Sequence, residues 1–224
     1  IDCPLKLQFY FLKDKIYEMS IKIKYRTNQE KFWSKEFGNN YISRNLGSNN
    51  RILTIGNALK SNRIKLKSAL ELGCNVGYNL DALKKVYKGI DLYGVEINQK
   101  AFGIVKNNHT CFNDSILNFK INKKFDLVFT AGVLIHQDPR TLNRIYKKIF
   151  SLSKKYIYIS EYFNPTPITV SYRNHKDKLF KRDFAKDLIN LFPELKVVNY
   201  GFFWKEDPKL KGNCDNSNWF LLKK

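Results

Sequence analysis

The chain is short of the residues that build metal centres and cross-linked scaffolds: among 224 residues there are four cysteines and three histidines. Cys3, Cys74, Cys111 and Cys214 are widely scattered, form no CxxC pair and have no histidine at ligand spacing. That excludes a zinc site and a disulfide framework, and it suits a reducing cytoplasm. Nor is there a run of the roughly 20 apolar residues that a membrane-spanning helix needs. The most apolar early stretch, 5–17, is broken by Lys6, Lys13, Asp14 and Lys15, and it lacks the small-residue cleavage site of a secretory signal. Acidic residues are also scarce, 20 against 40 Lys and Arg, for a formal charge of +20. The excess is spread, with 14 basic and 5 acidic residues in 1–70, 12 and 7 in 71–150, and 14 and 8 in 151–224. Nucleic-acid binders usually gather their cations on one face, so this spread reads first as solvated lysines. Methionine is nearly absent, and with Met19 as the single example, residues 1–26 are expected to be a peripheral extension.

What is present is the material of one globular domain: 43% hydrophobic and 15% aromatic residues. From about residue 66, short apolar runs (68–72, 92–97, 110–113, 125–131, 156–161) alternate with helical patterns (78–87, 98–107, 139–152, 179–191). That alternation predicts a doubly wound α/β sheet. Two further apolar runs, 195–204 and 218–222, have no helix between them and predict a terminal hairpin with an antiparallel last strand. Residues 27–62 read as a helical cap ahead of the 63–224 domain, with Thr27 as N-cap and Glu30 as its reciprocal partner. The aromatics Phe32, Trp33, Phe37 and Tyr41 recur at helical spacing, as a stripe packed on the sheet or a lid over a ligand.

The chemistry-bearing segment runs from Ser68 to Gly77 through Glu71-Leu72-Gly73-Cys74-Asn75-Val76-Gly77. It passes from a buried strand through a tight turn into a helix, the place where α/β sheets bind ligands. Gly73 lets the backbone turn sharply beside a ligand, and Gly77 lets the following helix sit close to the strand. The pattern lacks the first glycine of the dinucleotide fingerprint, whose backbone cradles a pyrophosphate. It therefore points to a phosphate-free ligand, S-adenosylmethionine, with Glu71 drawing in the ammonium group and Cys74 and Asn75 in the loop. Glu96, ending the second strand, is placed to accept from both ribose hydroxyls. Asp114, with Ser115 beside it, is the natural partner of the adenine amino group.

For methyl transfer to a hydroxyl, a base must take the acceptor's proton. His136, after the fourth strand, is the candidate, or else a structural histidine on a loop carbonyl. Glu161 is the alternative base, with Tyr162 and Asn164 beside it on the pocket's other wall. The stretch 172–182 reads as a cation-rich loop in which Arg173, His175 and Arg182 suit a carboxylate or phosphate. Arg44 is read as reaching the same pocket or clasping the cofactor's carboxylate, with Tyr41 nearby. A nucleic-acid acceptor is the alternative that the +20 charge suggests. No Asn/Asp-Pro-Pro-aromatic loop follows the fourth strand, where the chain reads Thr130-Ala131-Gly132-Val133, and no RNA-binding module is appended.

The stretch from Phe32 to Asn45, Phe-Trp-Ser-Lys-Glu-Phe-Gly-Asn-Asn-Tyr-Ile-Ser-Arg-Asn, resembles the opening of the pseudaminic acid biosynthesis-associated methylases. So do Glu161-Tyr162-Phe163-Asn164-Pro165-Thr166-Pro167, Tyr172-Arg173-Asn174-His175, Leu179 to Ala185, Asn199 to Trp204 and Trp219 to Leu222. The resemblance covers residues 27–224. It implies a Rossmann-like class I S-adenosylmethionine-dependent methyltransferase with a mostly parallel seven-stranded sheet. It also implies an anionic, nonulosonic (pseudaminic-type) sugar or its nucleotide-activated form as the small-molecule partner. The chain departs from the acidic linker of that pattern near 208–217, where it carries Lys209, Lys211, Asn213 and Cys214.

Overall fold

The computed structural model describes residues 23–45, 50–210 and 212–224; most of the proposed 1–26 extension, residues 1–22, lies outside them. Two helices come first, α1 (Asn28–Ser34) and α2 (Glu36–Asn45). The capping box is formed: Thr27 Oγ1 accepts from Glu30 N at 3.1 Å, and Glu30 Oε2 accepts from Thr27 N at 3.3 Å. After a 3-10 turn at Arg51–Leu53 comes α3 (Ile55–Ser61). The α/β body follows: β1 (Ser68–Leu72), α4 (Tyr78–Val86), β2 (Asp91–Glu96), α5 (Gln99–Val105), β3 (Thr110–Asn113) and β4 (Phe125–Ala131), then α6 (Leu142–Leu152) and β5 (Ser153–Glu161). A two-stranded hairpin, β6 (Ile168–Tyr172) and β7 (His175–Lys181), leads to α7 (Phe184–Leu191), and β8 (Lys196–Phe203) and β9 (Ser217–Lys223) close the chain.

The sheet has seven strands in the order β3-β2-β1-β4-β5-β9-β8. The pairs from β3 to β5 are parallel, and β9 runs antiparallel between β5 and β8, as the terminal runs predicted. Strand β1 is buried along its whole length because helices cover both faces. On one face α6 and α7 bury Ile145, Tyr146, Ile149, Phe184 and Leu188. On the other, α3, α4 and α5 bury Leu59, Leu80, Leu83 and Val105. The 27–62 stretch thus divides, with α3 a layer of the sandwich and α1–α2 standing over the strand ends.

Two expectations are corrected. First, the 172–182 stretch, read as a loop running into a helix from 179, belongs to the β6–β7 hairpin, so that the helix begins only at Phe184. Thr169 and Val170 pair with Phe180 and Leu179, and the tip residues Arg173 and Asn174 have φ of 48° and 67°. A tight two-residue hairpin wants both tip residues left-handed. Arg-Asn supplies this without the usual glycine, so the turn was not visible as one. Second, Gly77 clears α5 and not the strand: a Cβ there would lie 2.7 Å from Val105 Cγ2, at a φ of +92°.

Candidate active site

The order reverses direction at β1, between β2 and β4, and the crevice at such a switch point is where α/β sheets hold ligands. A cleft opens there, walled below by Gly73, Asn75, Glu96 and Asp114 at the ends of β1, β2 and β3. Its far wall is Gly132, Val133, His136 and Gln137, after β4. The roof is α1–α2, through Gln29, Trp33, Tyr41 and Ile42.

The loop after β1 is built by backbone bonds. Gly73 N and Cys74 N both donate to Val95 O, at 2.8 and 3.1 Å. Asn75 sits at φ 48° and donates its N–H to Glu96 Oε2 at 2.7 Å, while Glu96 Oε1 accepts from Asn98 N at 2.8 Å. The Glu96 carboxylate is buried, which raises its pKa, and each oxygen keeps a second lone pair. Glu71 lies behind the loop. Asn79 Nδ2 donates to its Oε1 at 2.6 Å, its Oε2 is buried with no partner, and burial pushes its pKa up to about 8. Cys74 is buried, its sulfur 3.5 Å from that of Cys111.

Across the cleft, His136 Nδ1 lies 2.6 Å from Lys178 O. A carbonyl only accepts, so Nδ1 carries the proton and Nε2 keeps its lone pair. Burial drives the pKa down to about 4, leaving the ring neutral near pH 7. The Trp33 and Tyr172 rings close over it, with centroids at 4.5 and 4.9 Å. The aromatic stripe of the cap is therefore both packing and roof. Asn98 ties the roof down, Nδ2 donating to Trp33 O at 3.1 Å and Asn39 Oδ1 at 2.9 Å.

Glu161 does not line this cleft. Its Oε1 accepts from Thr130 Oγ1, Val133 N and Leu134 N at 2.9, 3.2 and 3.1 Å, and its Oε2 accepts from Ile135 N at 3.3 Å. The carboxylate pins the turn that carries His136. Asp114 lines the cleft, whereas the Ser115 hydroxyl is buried and donates to Glu30 Oε1. Arg44 stacks on Phe37 and Tyr41 outside the lining, 5.2 and 6.0 Å from their centroids. Arg173 is exposed at the hairpin tip, and His175 packs edge-on against Phe32 and Phe37. Tyr162 donates to Asp215 at 2.9 Å, Asn164 donates to Thr166 O at 2.7 Å, and Arg182 pairs with Asp187 at 3.2 Å. The structure thus gathers Tyr41, Gly73, Asn75, Glu96, Asp114 and His136 around one cavity and leaves the other sequence candidates behind or beyond its walls. Trp33, part of the aromatic stripe, also lines it, as do Gln29, Asn98 and Gln137, for which the sequence carries no signal.

No protein-family model and no curated protein matches the chain. Among solved structures, it superposes on an S-adenosylmethionine-dependent methyltransferase from Clostridium acetobutylicum with a TM-score of 0.60 and 13% identity, covering 84% of this chain and 97% of that one. It superposes on the magnesium protoporphyrin IX methyltransferase of Synechocystis with bound S-adenosylmethionine at 0.62 and 14%, covering 90% and 99%. For the plantazolicin methyltransferase BpumL, in complex with S-adenosylhomocysteine, the values are 0.63 and 15%, covering 96% and 99%. The chain has the class I S-adenosylmethionine-dependent methyltransferase fold. The sugar-methylase resemblance finds no counterpart among these neighbours.

The cleft has a chemical bias of its own. Among the described residues its lining holds three carboxylates, Glu30, Glu96 and Asp114, and no Lys or Arg. S-adenosylmethionine carries an ammonium and a sulfonium, its ribose and adenine offer hydrogen-bond donors, and it has no phosphate. Acceptors at Glu96 and Asp114 fit those donors; a pyrophosphate would meet no cation here.

Proposed function

We propose that the chain is an S-adenosylmethionine-dependent methyltransferase whose acceptor is a small molecule bound beneath the α1–α2 roof, beside His136. The observation that carries the reading is the acidic lining of a cleft at the switch point of this fold. When bound, the cofactor supplies an electrophilic methyl group. Glu96 would hold the ribose hydroxyls and Asp114 the adenine amino group, while Glu71, behind the loop, would draw in the ammonium through water. The chain's remaining task is to align the acceptor and keep water out. Neutral His136, with Nδ1–H fixed on Lys178 O, would take a hydroxyl proton on Nε2.

The acceptor class we favour is an anionic nonulosonic (pseudaminic-type) sugar or its nucleotide-activated form. Because no Lys or Arg among the described residues lines the cleft, the sugar's hydroxyl end would enter it, and its carboxylate would stay at the rim near Arg44 and the β6–β7 cations. A nucleic-acid acceptor is the second reading, favoured by the +20 charge and opposed by that same acidic lining. Transfer of labelled methyl to pseudaminic acid, its nucleotide-activated form and bulk RNA separates the two. Label in RNA alone would overturn the sugar assignment.

A further inference from the structure

Among the described residues, three side chains that line the cleft each bury a polar atom with no hydrogen-bond partner: Gln29 Oε1, Trp33 Nε1 and Asn75 Oδ1. Leaving such an atom unpaired costs about as much as losing a hydrogen bond, and it is tolerated where a ligand completes the pairing. Asn75 lies on the cofactor loop with its N–H on Glu96, at the proposed ribose end. Gln29 and Trp33 have a different setting.

They stand four residues apart on α1, which puts both side chains on one face of the helix, over the cleft. Gln29 is 7% exposed, and its Nε2 donates to Asp177 O at 3.1 Å. A carbonyl only accepts, so the amide is oriented, with Oε1 left as the open acceptor. The next carbonyl along β7, Lys178 O, is the one that holds His136 Nδ1. In a regular strand successive carbonyls point to opposite edges. Here β7 is bulged: from the pair Val170–Leu179 to the pair Tyr172–His175, β6 advances two residues and β7 four, and Asp177 sits at φ 55°. The bulge re-aims the backbone, so that consecutive carbonyls both serve the cleft. Gln29 and the candidate base thus hang from adjacent residues. Trp33 meets the same base, its ring centroid 4.5 Å from that of His136.

We propose that Gln29 and Trp33 are the specificity pair for the acceptor, a pairing that rests on methyl transfer to a hydroxyl beside His136. Gln29 Oε1 accepts from, and Trp33 Nε1–H donates to, hydroxyls that flank the one giving its proton to His136. Placement separates the pair from the cofactor. Glu96 and Asp114 stand at the ends of β2 and β3, whereas the Gln29 amide is fixed to β7 and the Trp33 ring to His136, on the opposite wall. The chemistry selects the partner. A hydroxyl gives a proton to an amide oxygen and takes one from an indole. A carboxylate or phosphodiester has no proton for Gln29 Oε1 near pH 7. The pair therefore suits a polyhydroxyl flank and turns the acceptor's anionic group away from the cleft.

The test compares the full chain with Trp33→Phe and Gln29→Met, using labelled S-adenosylmethionine and pseudaminic acid or its nucleotide-activated form. In each variant kcat/KM for the sugar should fall by about tenfold, through KM. S-adenosylhomocysteine affinity should change by less than about threefold. Trp33→Phe keeps a ring over His136, so its loss reports the N–H; Gln29→Met also frees Asp177 O and is the second variant. In protein loaded with S-adenosylhomocysteine, the sugar should move the Trp33 indole N–H resonance downfield and leave those of Trp204 and Trp219 in place. A purely structural tryptophan gives no such response. Transfer to the sugar with KM unchanged in Trp33→Phe and an unmoved indole would overturn the proposal and leave the proposed function standing. A loss of S-adenosylhomocysteine affinity of about tenfold in both variants, or an indole N–H that moves downfield with S-adenosylhomocysteine alone, would assign the pair to the cofactor and overturn it too. No transfer to either form of the sugar would remove the proposed function, and the proposal with it.

Discussion

Replacing Glu96 by alanine removes one carboxylate from two sets of partners. In the free protein it accepts from Asn75 N at 2.7 Å and Asn98 N at 2.8 Å. In the complex it would also accept from both ribose hydroxyls. Hydrogen bonds to a charged group are each worth about 1.5–3 kcal/mol. The carboxylate is already buried before the cofactor arrives, so its desolvation is a cost of folding and subtracts little from binding. Two such bonds at the low end give about 3 kcal/mol, which weakens S-adenosylhomocysteine binding by about 100-fold. The variant also leaves two backbone N–H groups unpaired at about 1–3 kcal/mol each, so Tm falls by several degrees. Calorimetry below that Tm separates the effects, and a 2′-deoxy cofactor analogue completes the argument. If Glu96 and the hydroxyl touch, their losses are not additive. Equal affinity in wild type and Glu96→Ala, or strictly additive losses, would refute the ribose assignment.

His136→Asn should lower methyl transfer by about 10²–10⁴-fold with cofactor affinity retained; because the ring stays neutral down to about pH 4, wild-type activity should show no histidine-type fall between pH 8 and 5.5. Glu71 is raised in the fold, to about 8 from 4.5, so its ionisation lowers stability as pH rises through that window, and Glu71→Gln should flatten the Tm–pH curve there. An ammonium drawn toward its unpartnered oxygen through water opposes the shift, so binding at pH 7 should release protons, read from the dependence of the binding enthalpy on the buffer; no such dependence would contradict that role. Gly38→Ala would place a Cβ 1.9 Å from Trp33 O, and should unseat the α1–α2 roof, weakening cofactor binding while leaving far-ultraviolet circular dichroism intact. In Glu161→Gln one oxygen replaces two for four donors; Tm should fall, and the amide resonances of Val133, Leu134 and Ile135, expected to titrate near pH 7 in the wild type, should lose that titration.

The parts of the fold legible in the sequence are those whose reasons are local. The runs of β1 and β4 are apolar because both faces of a central parallel strand are covered. Thr27 and Glu30 announce their helix through a three-residue spacing. The loop of Gly73 and Asn75 shows because the chain turns through left-handed residues there. Among the parts that stayed hidden, the β6–β7 turn uses Arg-Asn, a pair that carries the required φ values without advertising them.

The site divides the same way. Glu96 and Asp114 follow strands at the switch point, so strand order alone brings them to the cleft. Glu161 also follows a strand, and by that rule it was read as a second base. Its carboxylate instead meets Thr130 Oγ1 and three consecutive amides, Val133, Leu134 and Ile135. Backbone donors are the same at every residue and leave no trace in composition or spacing, so nothing in the sequence separates a carboxylate that binds substrate from one that binds a turn. The consequence is chemical. With Glu161 committed to the turn that carries it, His136 is, among the described residues, the one side chain on the cleft's far wall able to receive a proton near pH 7. Its Lys178 contact comes from β7, so the hairpin whose turn the sequence does not advertise is the part of the fold that fixes the tautomer of the candidate base.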